Sequence, residues 1–280
     1  SILDRMEDEI AHRRPHVGSA NGFDRWLDQG ISAAAAAMLG KIERVYIVED
    51  LIREKSVSIF YGAPGEFKSA LCMDLALCIA NGLPWLQPLP VEGNKQRAFA
   101  TQAARVLWLN YDQGHDDIIE RLGAMARSYG DGENVTAISQ SHPTATLTTE
   151  SQARALGEFC LQNGYKVLMV DSLLDVKGKA DLQEAGMGDV LRLWRIVAET
   201  GNVSVIIIAH NTKQTLDLYG SQFIKAKLDH LYYVSRPPGT DVAVIESKKQ
   251  RNFGEQAKLC ARWTYSHFDG TRTLEKARFW

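Results

Sequence analysis

An α/β fold with a largely parallel sheet follows from three features of the sequence. Four short runs, 56–62 (SVSIFYG), 105–111 (RVLWLNY), 166–172 (KVLMVDS) and 203–210 (VSVIIIAH), are almost continuously apolar and rich in Val and Ile. Such runs suit strands covered on both faces. Segments with helical periodicity lie between them, at 68–81, 116–129, 149–163 and 184–200. Strands alternating with helices argue crossover connections in a parallel sheet. Third, the turn at 62–70 leads from the first run straight into the first helix.

The flanks read differently. Residues 1–50 are polar and charged, with RRPHVGSANG resembling a linker and an alanine run at 33–37 that reads as helix. They are expected to form an N-terminal helical arm, leaving 51–280 as the α/β domain. After residue 228 come four short β-type runs, HLYYVSR, DVAVIESK, QAKLCARWTYSH and RTLEKARF, separated by Pro-Pro-Gly and Asp-Gly turn signals. These are expected to be antiparallel strands extending the sheet at one edge.

Composition excludes several classes. With 280 residues, 45% apolar and 24% charged, the chain can bury a sizeable core and is neither disordered, collagenous nor a disulfide mini-fold. No apolar stretch approaches the roughly 18 residues that span a bilayer. The start, SILDRMEDEIAHRRPH, lacks the apolar core of a signal peptide. The expected location is cytoplasmic, with no membrane contact. Cys72, Cys78, Cys160 and Cys260 form no C-x-x-C pair, which argues for buried thiols rather than a zinc site. Net charge is −2, yet residues 225–280 hold 11 basic and 6 acidic residues. That excess suits polyanion contact and suits a solvated surface equally well.

The most informative stretch is GAPGEFKSA, residues Gly62, Ala63, Pro64, Gly65, Glu66, Phe67, Lys68, Ser69 and Ala70. A loop between strand and helix lets successive backbone N–H groups point at one anion, and the helix N-terminus adds its positive dipole end. Lys68 would set an ammonium beside the β- and γ-phosphates, and the Ser69 hydroxyl would help hold Mg²⁺. This is the P-loop arrangement with one departure, because Phe67 stands where the strict pattern has Gly. A backbone N–H survives the change; the permitted backbone geometry and the bulk beside the nucleotide do not. The run KVLMVDS ends in Asp171, which suits a Walker B carboxylate reaching the same Mg²⁺.

On these residues, together with VLWLNYDQGHDDIIERLGAM and VIIIAHNTK, the chain resembles the RecA-fold ATPases of the RepA-type hexameric helicase and phage AAA-family ATPase group, over roughly residues 45–260. The resemblance implies a RecA-like P-loop core, ATP and Mg²⁺ as cofactors, and a homo-oligomeric ring, commonly a hexamer around single-stranded DNA. It places the water-activating acid at Asp112, where the family has Glu; Asp is one methylene shorter. It puts a γ-phosphate sensor at His210. It also implies that Lys249 and Arg251, in KKQRNFG, reach a neighbouring subunit's γ-phosphate. RepA-type proteins carry a finger Arg before a Gly-Ser pair; here Tyr219 precedes Gly220-Ser221, which favours Arg251. DNA contact is implied for the loops after the third and fourth strands, with Lys177, Lys179 and Lys213.

Two functions are therefore carried forward. The first is an ATP-hydrolysing motor on DNA, a ring-forming helicase in replication or recombination of a plasmid, phage or integrated element. The second is an ATP-dependent binding switch, a loader or assembly protein with slow hydrolysis and no unwinding, kept open by Phe67 and Asp112. A GTPase is disfavoured because the N-K-x-D element that reads guanine is absent.

Overall fold

The computed structural model describes residues 30–39, 43–88, 97–130, 132–139, 147–173, 186–211, 225–251 and 257–280. The chain divides into two compact units, Ser1–Glu43 and Arg44–Trp280. In the first, the alanine run forms α1 (Ala33–Met38), and the Ser32 side chain caps it by accepting from the Ala35 amide at 3.1 Å. The second unit begins before the 50/51 boundary drawn from the sequence. There β1 (Tyr46–Val48) and β2 (Ile52–Arg53) pair antiparallel, and Ile47, Val48, Leu51 and Ile52 are buried in its core.

The second unit continues in chain order with β3 (Val57–Gly62), α2 (Lys68–Asn81), β4 (Arg105–Asn110), α3 (His115–Tyr129) and β5 (Val135–Ser139). Next come α4 (Glu150–Gln162), β6 (Tyr165–Asp171), α5 (Gly186–Gly201) and β7 (Ser204–His210). The chain closes with β8 (His230–Ser235), β9 (Val242–Gln250), β10 (Leu259–His267) and β11 (Leu274–Phe279). One nine-stranded sheet has the order β11-β10-β9-β8-β3-β7-β6-β4-β5. Strands β8 through β5 in that order run parallel, while β9, β10 and β11 add antiparallel.

Two strands of the nine-stranded sheet depart from the sequence reading. HLYYVSR forms β8, which pairs parallel with β3 and antiparallel with β9, so the antiparallel extension begins one strand later than expected. VTAIS forms β5, which the sequence reading does not include. It is an edge strand with only Val135 buried, so its run lacks the continuous apolar character that marks the covered strands. Of the four cysteines, Cys260 is exposed and the other three are buried.

Helices cover both faces of the sheet. On one face Phe60, Val106, Trp108, Val167, Met169, Ile206 and Ile208 pack against α2 and α3. Their neighbours one residue along, among them Ile59, Leu107, Leu168 and Ile207, face α4 and α5, as strand alternation requires. Helix α2 buries 12 of its 14 residues, which explains why its sequence is apolar nearly all round. The sheet lies beneath it, α3 beside it, and β11 reaches it from the antiparallel edge, where the Phe279 amide donates to Asp74 at 2.8 Å. Side chains of α3 hold β11 in turn: Arg127 donates to the carbonyls of Glu275 and Leu274, and Glu120 accepts from the Leu274 amide at 2.8 Å.

Candidate active site

Parallel pairing of β3, β7, β6 and β4 brings their carboxyl ends to one edge, the place where open α/β sheets bind ligands. Gly62 lies in register with His210, and Asp171 with both Ile208 and Asn110. The Tyr111 and Asp112 amides donate to the Asp171 carbonyl at 2.6 and 3.2 Å, so the acid after β4 is held directly beside the acid ending β6. The glycine opening the loop is dictated by packing: a Cβ on Gly62 would meet the Val234 carbonyl oxygen of β8 at 2.1 Å.

The loop closes on Phe67, the residue before α2, at φ 62° and ψ 8°. This is the left-handed region, which costs a residue with a Cβ on the order of 1–2 kcal/mol. The backbone thus keeps the geometry that glycine would adopt there without cost, and side-chain packing offsets the strain. The Phe67 ring lies 6.0 Å from Trp263 and 5.9 Å from Phe279, with the Arg236 guanidinium 4.3 Å from its centroid. Arg236 is itself fixed by the Thr240 carbonyl at 2.5 Å and the Asp241 carboxylate at 2.9 Å.

Lys68, 4% exposed, donates its ammonium to the Ala63 carbonyl at 2.7 Å. Burial lowers its pKa, while the charges of Asp171, Glu66 and Asp112 work to restore it. Asp171 is 1% exposed, and burial raises its carboxyl to about 6, with the neighbouring Asp112 charge adding to the rise and a bond from the Ser69 hydroxyl opposing it. Ser69 and Asp171 therefore present two hard oxygens in contact, one on a buried carboxylate that a cation would stabilise. That donor set fits Mg²⁺, which takes few protein ligands besides phosphate and water.

Lys68 and Ser69 open on a cavity of about 730 Å³, within the size range of small-molecule sites. Of the residues expected from the sequence, Pro64, Gly65, Glu66, Phe67, Lys68, Ser69, Ala70, Asp112 and His210 line it. Gly62, Ala63, Asp171, Lys249 and Arg251 are not among the residues that line it. Antiparallel pairing sets Gln250 level with His230, and β3 pairs His230 with Ser58, at the end of the sheet away from Gly62. There Lys249 donates to the Lys225 carbonyl, and Arg251 donates to the Ala226 carbonyl at 2.8 Å and lies 3.9 Å from Asp229. Lys177, Lys179 and Lys213 lie outside the described residues, as do Asn252, Phe253 and Gly254.

The cavity also holds residues outside the set expected from the sequence. Gln113 accepts from Arg121 at 2.7 Å and donates to Asp171 at 3.4 Å, so Arg121 reaches the site through a side-chain relay. Asp117, in the first turn of α3, lines the cavity too. Arg236, Asp241, Trp263, Tyr265 and Leu274 line it as well. Arg121 sits nine residues after Asp112, on the site-facing turn of the helix that follows, and that spacing is the one available signal. For the C-terminal residues there is none.

A family profile described as an AAA domain matches residues 33–215, about two-thirds of the chain. A search of curated proteins finds no match. Among solved structures, the crystal structure of the RadB recombinase is similar with a TM-score of 0.50 and 16% identity, covering 75% of this chain and 87% of that one. The likeness lies in the fold. No helix among the described residues is long and apolar enough to cross a membrane.

Proposed function

This chain belongs to the AAA domain family, and on that premise we propose that it is an ATP-hydrolysing RecA-like motor acting on DNA, a ring-forming helicase assembled as a homo-hexamer. The observation that carries the reading is the placing of Lys68 and Ser69, at the head of α2, beside Asp171 and Asp112, after two adjacent parallel strands. Asp171 takes the Ser69 hydroxyl bond, and the Asp112 amide donates to the Asp171 carbonyl. Lys68 gives up the Ala63 carbonyl for β- and γ-phosphate oxygens. Ser69 and Asp171 hold Mg²⁺, which neutralises charge on the phosphates when bound. Asp112 orients the attacking water and takes its proton, and His210 hydrogen-bonds the γ-phosphate.

Lys249 and Arg251 act in a neighbouring subunit's site. Their place at the far end of the sheet from their own P-loop supports action between chains rather than within one. Lys177, Lys179 and Lys213 contact single-stranded DNA from the loops that follow β6 and β7, and the name recombinase on a structure of similar fold supports DNA as the polymer. The domain would act inside the cell, within replication or recombination of a plasmid, phage or integrated element.

Steady-state ATPase with and without single-stranded DNA, alongside unwinding of a forked duplex, tests the proposal. Stimulated turnover and strand separation, both abolished by Lys68→Ala, are expected. Turnover that survives Lys68→Ala overturns the P-loop assignment. A second reading, the ATP-dependent binding switch, is favoured by the clamp of Arg236 on the strained Phe67 and by Asp112 in place of Glu. It is the better description if ATP drives assembly in light scattering while DNA leaves turnover unchanged.

A further inference from the structure

We propose that Asp229, anchored by Arg195, is a positioning residue that sets Arg251 and Lys249 for a neighbouring subunit's site. The proposal rests on the reading that Arg251 acts between chains and deepens it. It starts from a charge imbalance at the end of the sheet away from Gly62. Around the Asp229 carboxylate, which is 2% exposed, lie the guanidiniums of Arg195 at 2.6 Å, Arg53 at 3.7 Å and Arg251 at 3.9 Å. Lys249 belongs to the same group: burial lowers its pKa, the Arg251 charge lowers it further, and the Asp229 charge opposes them. One carboxylate thus stands among four cations. The carbonyls of Lys225, Ala226 and Lys227 accept from Lys249, Arg251 and Arg195 in that order.

The two carboxylate oxygens of Asp229 have different partners. Oδ2 accepts from the Val57 amide at 2.9 Å and from Arg195 at 2.6 Å, and Arg195 is itself fixed by the carbonyls of Lys55 and Lys227. Oδ1 is left to Arg53 and Arg251, both beyond hydrogen-bond reach. Arg251 is therefore held by charge and by the Ala226 carbonyl at 2.8 Å, and its side chain stays 49% exposed. A phosphate can draw off a guanidinium held in this way without breaking a buried bond. The Arg251 amide donates to the Asp229 carbonyl at 2.9 Å, which keeps the two side chains level across the strands. Burial works to raise the Asp229 pKa, yet the Val57 amide and Arg195 hold it below the usual carboxylate value. The acid is therefore charged near neutral pH, when the cations need it. Without that charge they repel one another and Arg251 loses its place, and a misplacement of about 1 Å can cost about 10²-fold in rate.

Steady-state ATP turnover of mixed assemblies of the intact chain tests this. Asp229→Asn keeps an acceptor for the Val57 amide and removes the charge. Alone it should lower kcat by about 10- to 100-fold and leave KM for ATP unchanged, because its own P-loop is untouched. Diluted into an excess of Lys68→Ala, which supplies an intact Arg251 from an inactive chain, each Asp229→Asn chain should regain the turnover of wild-type chains diluted in the same way. A lesion that merely loosens the fold stays with its own chain and shows no such rescue. Arg195→Gln, which takes the anchor from Oδ2 and leaves the acid in place, should show a loss rescued in the same sense; it decides the matter by the same criteria if Asp229→Asn does not fold. Full turnover by the variant alone overturns the positioning role. So does a loss that Lys68→Ala leaves unrescued while it rescues Arg251→Ala, and in both cases the reading of Arg251 stands. If Arg251→Ala is not rescued either, that reading fails and takes the positioning role with it.

Discussion

The Tyr129 hydroxyl of α3 donates to Oδ1 of Asp74 on α2 at 2.5 Å, and the Phe279 amide of β11 donates to the same oxygen at 2.8 Å. One fully buried carboxylate thus ties the P-loop helix, its neighbour and the last strand of the sheet. Burial raises its pKa from 3.8 to about 6 even though both hydrogen bonds pull the other way.

The sign of the pH dependence follows from that rise. The unfolded chain releases this proton before the folded one does, so the stabilisation is complete below about pH 4 and is lost as pH rises through about 6. A rise of this size corresponds to something on the order of 3 kcal/mol across that window. Asp74→Asn cannot titrate. Urea unfolding at several pH values from 4 to 7.5 should show wild-type stability falling relative to the variant as pH rises. A constant difference across the window would mean that Asp74 has an ordinary pKa.

A second prediction concerns the opposite face. Helices α4 and α5 meet backbone to backbone, and a Cβ on Gly157 would come within 2.9 Å of the Gly201 nitrogen and 2.9 Å of the Thr200 Cβ. Alanine favours a helix over glycine by about 1 kcal/mol, yet overpacking costs about 1–3 kcal/mol. Gly157→Ala should therefore lower the stability to urea by about 1 kcal/mol while nucleotide affinity is unchanged, since α4 packs on the sheet face away from α2. A stability gain would show that the two helices move apart freely.

What the sequence made legible follows from which constraints are local. Strands β3, β4, β6 and β7 were readable to within a residue or two because a strand covered on both faces must be apolar at every position. The P-loop was readable because strand, loop, Lys68 and helix are contiguous. Parallel pairing of β8 was not, since HLYYVS carries no mark of its neighbours' direction. Nor was the aromatic lining: the Trp263 ring lies 6.0 Å from that of Phe67, almost 200 residues away in the chain, on a sheet edge whose last strand contacts α2. Phe67 itself was legible as a departure from the pattern, but its left-handed backbone was not, because the packing that offsets the strain comes from Arg236, just after β8, and from β10 and β11.

Asp112 tests the proposed chemistry. Its backbone is pinned to the Asp171 carbonyl, so Asp112→Asn should leave the site's geometry and nucleotide affinity intact. An amide cannot accept the water's proton, so turnover should fall by 10² or more. Single-turnover hydrolysis with a parallel binding titration separates the two effects. Normal turnover would move the role to Asp117, which lines the same cavity; Glu120 is a poorer candidate because it holds the Leu274 amide.

The ring is most exposed to test at Arg251. In its own chain the side chain stays near Asp229, at the opposite end of the sheet from Gly62. Asp229 keeps Arg195 at 2.6 Å and Arg53 at 3.7 Å whether or not Arg251 is present, so Arg251→Ala should fold and bind ATP. If Arg251 enters a neighbour's site, turnover should nonetheless drop by about 10³, the scale of an arginine finger. Lys68→Ala damages the site within its own chain instead. Mixing the two inactive variants should then restore part of the activity, because some interfaces pair an intact P-loop from one chain with an intact Arg251 from the next. A residue acting within its own chain gives no such rescue, and a monomer gives none either. Absence of complementation between two variants that fold and assemble would exclude Arg251 as the residue acting between chains.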